Sequence, residues 1–144
     1  MPRLVRSLVE REGRLTEGFE DFVCSLGKTP GIRSAAVLYG SRADGTASLL
    51  SDFDLLWIVE GEPDRDAIRR EAVRRGVDLF LVTVSELNNA LENHNSIVLD
   101  ALTRGRVLFD TLDMIPSLKE QVRRLIEAHG LVRTEVGWTS VIRQ

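Results

Sequence analysis

Apolar residues recur at helical spacing early in the chain. Leu15, Phe19, Phe22, Val23 and Leu26 share one face of a helix predicted over residues 4–27, with a break near Gly13. Gly27, Pro30 and Gly31 then punctuate a turn. Residues 32–39 form a short apolar run, as a buried strand requires, ending at Gly40-Ser41. A second such run spans 53–59 and is closed by Gly61, Pro63 and Asp64. Residues 64–75 carry a helical pattern, with Ala67, Ile68, Ala72 and Val73 inward and arginines outward. A third strand is predicted at 77–82, one or two helices at 84–103, and a short fourth strand at 106–109. Met114, Ile115, Leu118, Val122, Leu125 and Ile126 line one face of a last helix. The tail after Gly130 has no clear period, and its Trp138 reads either as a core plug or as an interface anchor.

That order of elements predicts an α/β or α+β fold, a small mixed β-sheet with helices packed on it. A chain of 144 residues predicts one domain, residues 1–144, able to bury a core without staples. Hydrophobic residues make up 43% and charged residues 28%, the balance of a globular protein. A net charge of -3 gives no general attraction to nucleic acid or anionic membranes. Charges interrupt the first residues too early for a secretory segment, and no apolar run is long enough to span a bilayer. The single cysteine, Cys24, has no intramolecular partner and sits in an apolar helical pattern, which predicts a buried thiol. Together these point to a cytoplasmic location.

The chemistry concentrates in Leu38-Tyr39-Gly40-Ser41-Arg42-Ala43-Asp44-Gly45-Thr46-Ala47 and, shortly after, Ser51-Asp52-Phe53-Asp54-Leu55. A buried strand running into Gly40-Ser41 lets a phosphate approach the backbone closely. A short helix there would aim free N–H groups at it, and the Ser41 hydroxyl could either donate to the phosphate or cap the helix. Asp52 and Asp54, two apart at the mouth of a strand, project to the same face. Their charges crowd unless a cation sits between them, and a hard divalent ion such as Mg²⁺ meets that need with oxygen ligands and substrate phosphates. Asp78 opens the third strand. If the second and third strands are neighbours, all three carboxylates share a face, where two metal ions could clamp the attacking and leaving oxygens at a phosphorus.

Gly40-Ser41 followed by Asp52-x-Asp54 resembles the signature of the DNA polymerase β superfamily of nucleotidyltransferases. The longer pattern, Gly-Ser-Arg-Ala-x-Gly-x-Ala and then Ser-Asp-x-Asp-Leu, resembles its minimal nucleotidyltransferase (MNT) branch. The resemblance covers about residues 32–110, leaving 111–144 as a C-terminal helix and tail. It implies a polymerase β-like core that transfers a nucleoside monophosphate from an NTP. Gly40, Ser41 and Arg42 would bind the nucleotide's phosphates. Asp52 and Asp54 would hold two Mg²⁺ ions, and Asp78 would complete one metal site and help deprotonate the acceptor. Short members stand beside HEPN-family proteins in toxin–antitoxin pairs, and some transfer AMP to a tyrosine of that partner. About 34 residues follow Asp110, too few for a large acceptor-binding domain. That favours a protein acceptor, with AMP from ATP as the transferred group. Two alternatives are an antitoxin that acts by docking alone, and a transferase acting on an antibiotic-like small molecule.

Other residues read more plainly. Ser51 shapes a turn. His94 lies in a polar turn, and His129 complements a helix end. Arg69, Arg70, Arg74 and Arg75 read as a solvated helix face rather than a nucleic-acid contact. Homo-oligomerisation is left open.

Overall fold

The computed structural model describes residues 3–47 and 51–141. Its elements are α1 (Arg3–Gly27), β1 (Ser34–Tyr39), α2 (Ser41–Asp44), β2 (Phe53–Val59), α3 (Arg65–Arg74), β3 (Val77–Thr83), α4 (Val84–Glu92), α5 (Ser96–Arg104), β4 (Arg106–Asp110), α6 (Ile115–His129), β5 (Leu131–Thr134) and β6 (Gly137–Ser140). The expected α/β architecture is present as a four-stranded mixed sheet in the order β3-β2-β1-β4. β1 is antiparallel to both neighbours, while β2 and β3 are parallel and joined through α3. No helix among the described residues is long and apolar enough to cross a membrane.

Alternation along the strands divides the core between the two faces of the sheet. Ala36, Leu38, Leu55, Trp57 and Val59 pack under α1 and α3 with Phe19, Phe22, Leu26 and Ala72. Ala35, Val37, Leu56, Ile58 and Val82 pack under α4, α5 and α6 with Leu87, Leu91, Val98, Leu102, Leu118 and Val122. Local signals set the helix ends. Asp64 accepts from the Ala67 amide at the head of α3, and Thr83 and Glu86 cap α4 reciprocally. Asn95 accepts from the Ile97 and Val98 amides at α5. α6 begins with a proline in its first turn and ends on Gly130 at φ 58.

Several expectations are corrected. Gly13 does not break α1; a lone exposed glycine costs a helix only about 1 kcal/mol, and the flanking turns carry it through. Cys24 is exposed. It lies two residues from both Phe22 and Leu26, off their buried face and at the open edge of a groove between α1 and β4. Val73 is 78% exposed, because Ala72 takes the buried position at the end of α3. The tail is a hairpin, β5 antiparallel to β6. Its Trp138 packs against the α5–α6 core and donates from Nε1 to Asp100 Oδ1 at 2.8 Å. Residues 142–144 of that tail lie outside the described residues.

Candidate active site

Strand register builds the site. Tyr39, the last residue of β1, pairs with Asp54 on β2, and Asp54 pairs with Asp78 on β3. Asp54 and Asp78 are therefore side by side across a parallel pair, at the spacing of adjacent strands, about 4.8 Å. Asp52 stands just before β2, at the same parity as Asp54, Leu56 and Ile58. Asp54 and Asp78 thus head the sheet face that α5 covers, with Asp52 near enough to act on Asp54 by charge, and the adjacency of β2 and β3 on which Asp78 depended is present.

Electrostatics show the crowding. The Asp54 carboxyl is pushed up to about 6, chiefly by burial, then by the charges of Asp78 and Asp52, then by a hydrogen bond shared with Asp78. Asp52 acts on Asp54 through charge alone, and it and Asp78 are exposed to solvent. Burial raises the Tyr39 phenol above its ordinary range, with Asp54, Asp78 and Asp100 adding to the effect.

Gly40 makes the turn at this rim. It sits at φ 73, ψ -157, a region essentially reserved for glycine. A Cβ there would lie 2.3 Å from Asp54 Oδ2, so backbone and carboxylate are in contact. The Gly40 carbonyl accepts from the Ala43 and Asp44 amides, and the Ser41 carbonyl from those of Thr46 and Ala47. Gly40, not Ser41, occupies the cap position of α2, so the Ser41 hydroxyl is not used as a cap.

Arg42 is held by groups of the protein itself. Its guanidinium forms an ion pair with Glu12 of α1, bonds the Ser51 carbonyl at 2.6 and 3.1 Å, and lies 4.3 Å over the Phe53 ring. It ties α1, α2 and the start of β2 together. His94 and His129 face each other, ring centroids 5.1 Å apart, and His94 adopts φ 53.

One group was not read as part of the site. Gly40 shares a small cavity with Asp44, Asp100, Arg104 and Arg133. Arg133, on β5, holds Asp100 through two nitrogens at 2.9 and 3.4 Å. Asp100, Arg104 and Arg133 reach Gly40 from α5 and the tail, and no spacing in the sequence links them to the glycine-serine turn.

The donor set suits Mg²⁺. The acids supply only hard oxygens, their mutual repulsion favours a cation, and the site adjoins the solvent-exposed Gly40 turn. Among the described residues no three His, Cys, Asp or Glu side chains are gathered as a finished metal cage. Mg²⁺ does not require one, since it commonly keeps waters and takes one or two carboxylates with substrate phosphates.

Known proteins are similar to this chain. A protein of Methanocaldococcus jannaschii named "Putative protein adenylyltransferase MJ1305" is 28% identical over 100 residues, covering 63% of this chain and 68% of that protein. A chain from a crystal structure of the toxin–antitoxin MntA-HpeT, in a point variant, superposes with a TM-score of 0.51 at 19% identity, over 76% of this chain and 86% of that one. A chain from the complex of a tri-AMPylated Shewanella oneidensis HEPN toxin with MNT antitoxin aligns at a TM-score of 0.45 and 16% identity, over 84% and 87%. The description "Nucleotidyltransferase domain" matches residues 17–129, which include the glycine-serine turn and all three acids. The chain belongs to this nucleotidyltransferase family.

Proposed function

We propose that the protein transfers AMP from ATP, with Mg²⁺, to a hydroxyl of a protein, and that it is the antitoxin of a HEPN/MNT pair acting in the cytoplasm. The observation that carries the reading is the register Tyr39–Asp54–Asp78 with Gly40 packed on Asp54. The relative named as a protein adenylyltransferase and the fold shared with the toxin–antitoxin structure support the choice of acceptor.

Asp52, Asp54 and Asp78 would hold the metal, and the Gly40-Ser41 turn would receive the triphosphate. Bound Mg²⁺ supplies charge neutralisation at the phosphate oxygens. The acceptor oxygen bonds to the α-phosphorus, the bond to the β-phosphate's bridging oxygen breaks, and pyrophosphate leaves. The hydroxyl proton passes to the Asp78 carboxylate. Catalysis then rests on positioning and electrostatics. Arg42 supports the turn from behind through Glu12 and Ser51 rather than by touching substrate.

ATP labelled in its α-phosphate, Mg²⁺, the chain and its HEPN-type partner test this together. Label appearing on the partner, and absent with Asp52→Asn/Asp54→Asn, is the expected result. No label, with binding to the partner unchanged in the variant, would replace transfer by docking.

A further inference from the structure

On the other face of the same sheet end, α1 and the C-terminal end of α3 enclose a cleft of about 470 Å³. It is lined by Arg11, Arg14, Leu15, Gly18, Arg74 and Arg75. Two carboxylates serve these four guanidiniums. Glu71 pairs with Arg74 and Arg75, and Asp21 lies 3.8 Å from Arg75. Arg11 and Arg14 are exposed and make no ion pair among the described residues. In a chain of net charge -3 this is a local surplus of positive charge.

The cleft abuts the catalytic rim. Leu15 Cδ2 lies 3.1 Å from where a Gly76 Cβ would stand, and the Gly76 carbonyl accepts from the Phe53 amide at 3.1 Å. Phe53 is flanked by Asp52 and Asp54, and Asp78 follows Gly76 by two residues. A ligand in the cleft is thus held within a few residues' reach of all three acids, but behind them.

We propose that this cleft docks an acidic segment of the protein acceptor and so delivers the neighbouring hydroxyl to the rim. The inference rests on the transfer-to-protein reading above. Guanidinium forks match carboxylates geometrically. The lining has no aromatic ring on which bases could stack, and the net negative charge disfavours a polyanion running beyond the cleft. Near the catalytic carboxylates an acidic segment would be repelled, so its anchor belongs on the opposite face.

The test uses the full chain with fluorescent peptides holding one central tyrosine, flanked by aspartates and glutamates or by alanines and serines. A single-stranded oligonucleotide of equal charge competes. Binding is read by anisotropy, which needs no transfer. The acidic peptide should bind about tenfold tighter than the neutral one, as several exposed charge pairs acting together allow. Arg11→Glu/Arg14→Glu/Arg74→Glu should remove that preference, and with Mg²⁺ and ATP it should raise KM for the acidic peptide while leaving kcat largely unchanged. Should charge reversal unfold the chain, Arg11→Gln/Arg14→Gln reads the same preference with a smaller effect. Equal binding of the two peptides, or a preference that survives the substitutions, would overturn the proposal. An oligonucleotide that displaces the acidic peptide at lower concentration would do so too, and would assign the cleft to nucleic acid. Arginine-dependent peptide binding without any transfer by the wild type would keep the cleft and sink the transfer reading.

Discussion

Gly40→Ala offers the sharpest test of how the site is assembled. At φ 73, ψ -157 an alanine would carry backbone strain of roughly 1–3 kcal/mol. Its methyl group would also meet Asp54 Oδ2 at 2.3 Å, far inside contact distance. Asp54 lies on a central strand between β1 and β3, so the clash is relieved by moving the carboxylate rather than the strand. A displacement near 1 Å in a catalytic group lowers turnover by about a hundredfold. Gly31→Ala supplies the control, because Gly31 has φ 71 but open space around its Cβ position. Thermal melts and initial rates of transfer to the protein acceptor should be compared. Gly31→Ala should lose about 1–2 kcal/mol of stability at unchanged rate. Gly40→Ala should lose at least as much, together with about a hundredfold in rate. Equal stability losses with full transfer by both variants would refute the contact between the glycine turn and Asp54.

Three further outcomes follow. The Asp54 carboxyl stands at about 6 against an ordinary 3.8, so between those values the folded, metal-free chain keeps a proton that the unfolded chain releases. Stability therefore falls as pH rises toward and through about 6, by roughly 1–2 kcal/mol after allowing for partial exposure, and Asp54→Asn should flatten that slope in melts run with a chelator. Arg42→Ala should cost about 3 kcal/mol in urea unfolding, because the Arg42 and Glu12 side chains are only 12% and 18% exposed and Glu12 would be left largely buried. Arg42→Lys should recover little of that loss, since lysine cannot reproduce both the fork and the stack on Phe53. Trp138→Phe removes the hydrogen bond to Asp100, about 1.5 kcal/mol, and should speed amide exchange along β5 and β6 while leaving β2 protected; uniform exchange would show that the hairpin is not held this way.

The parts of the site that could be read from sequence are those written in short spacing. Asp52 and Asp54 announce a shared face by their separation of two, and Gly40-Ser41 marks a strand end that only a small residue can turn. Asp78 was conditional, because whether two strands are neighbours depends on the path of α3, which no residue spells out. The tie that Arg42 makes between α1 and the turn was not legible, since the resemblance pointed only to phosphate. Its partner Glu12 is 30 residues away on a helix whose orientation is decided by packing of Phe19, Phe22 and Leu26. The hairpin was illegible for another reason. β5 and β6 are four residues each and largely exposed, so no apolar alternation marks them, and they are held by Trp138 and Arg133 on Asp100. Cys24 and Val73 show the limit of periodicity. Both are apolar neighbours of buried residues, yet a step of one or two positions swings a helical side chain by 100° or more, about one full face.

The parallel pairing of β2 and β3 makes the crossover between them a ruler with one flexible end and one rigid end. Asp54 and Asp78 oppose each other only while the register Phe53–Val77 holds. A slip by one residue would turn Asp78 to the α1 side. Residues 60–63 precede the Asp64 cap and run over the surface at the far end of the strands from the acids. Insertions there should leave the acids aligned. Between Arg74 and Val77 there is no such freedom. Gly76 is at φ 69, pressed by Leu15, and bonded to the Phe53 amide. Length variation among natural or engineered versions of this enzyme should therefore gather before α3 and be excluded after it.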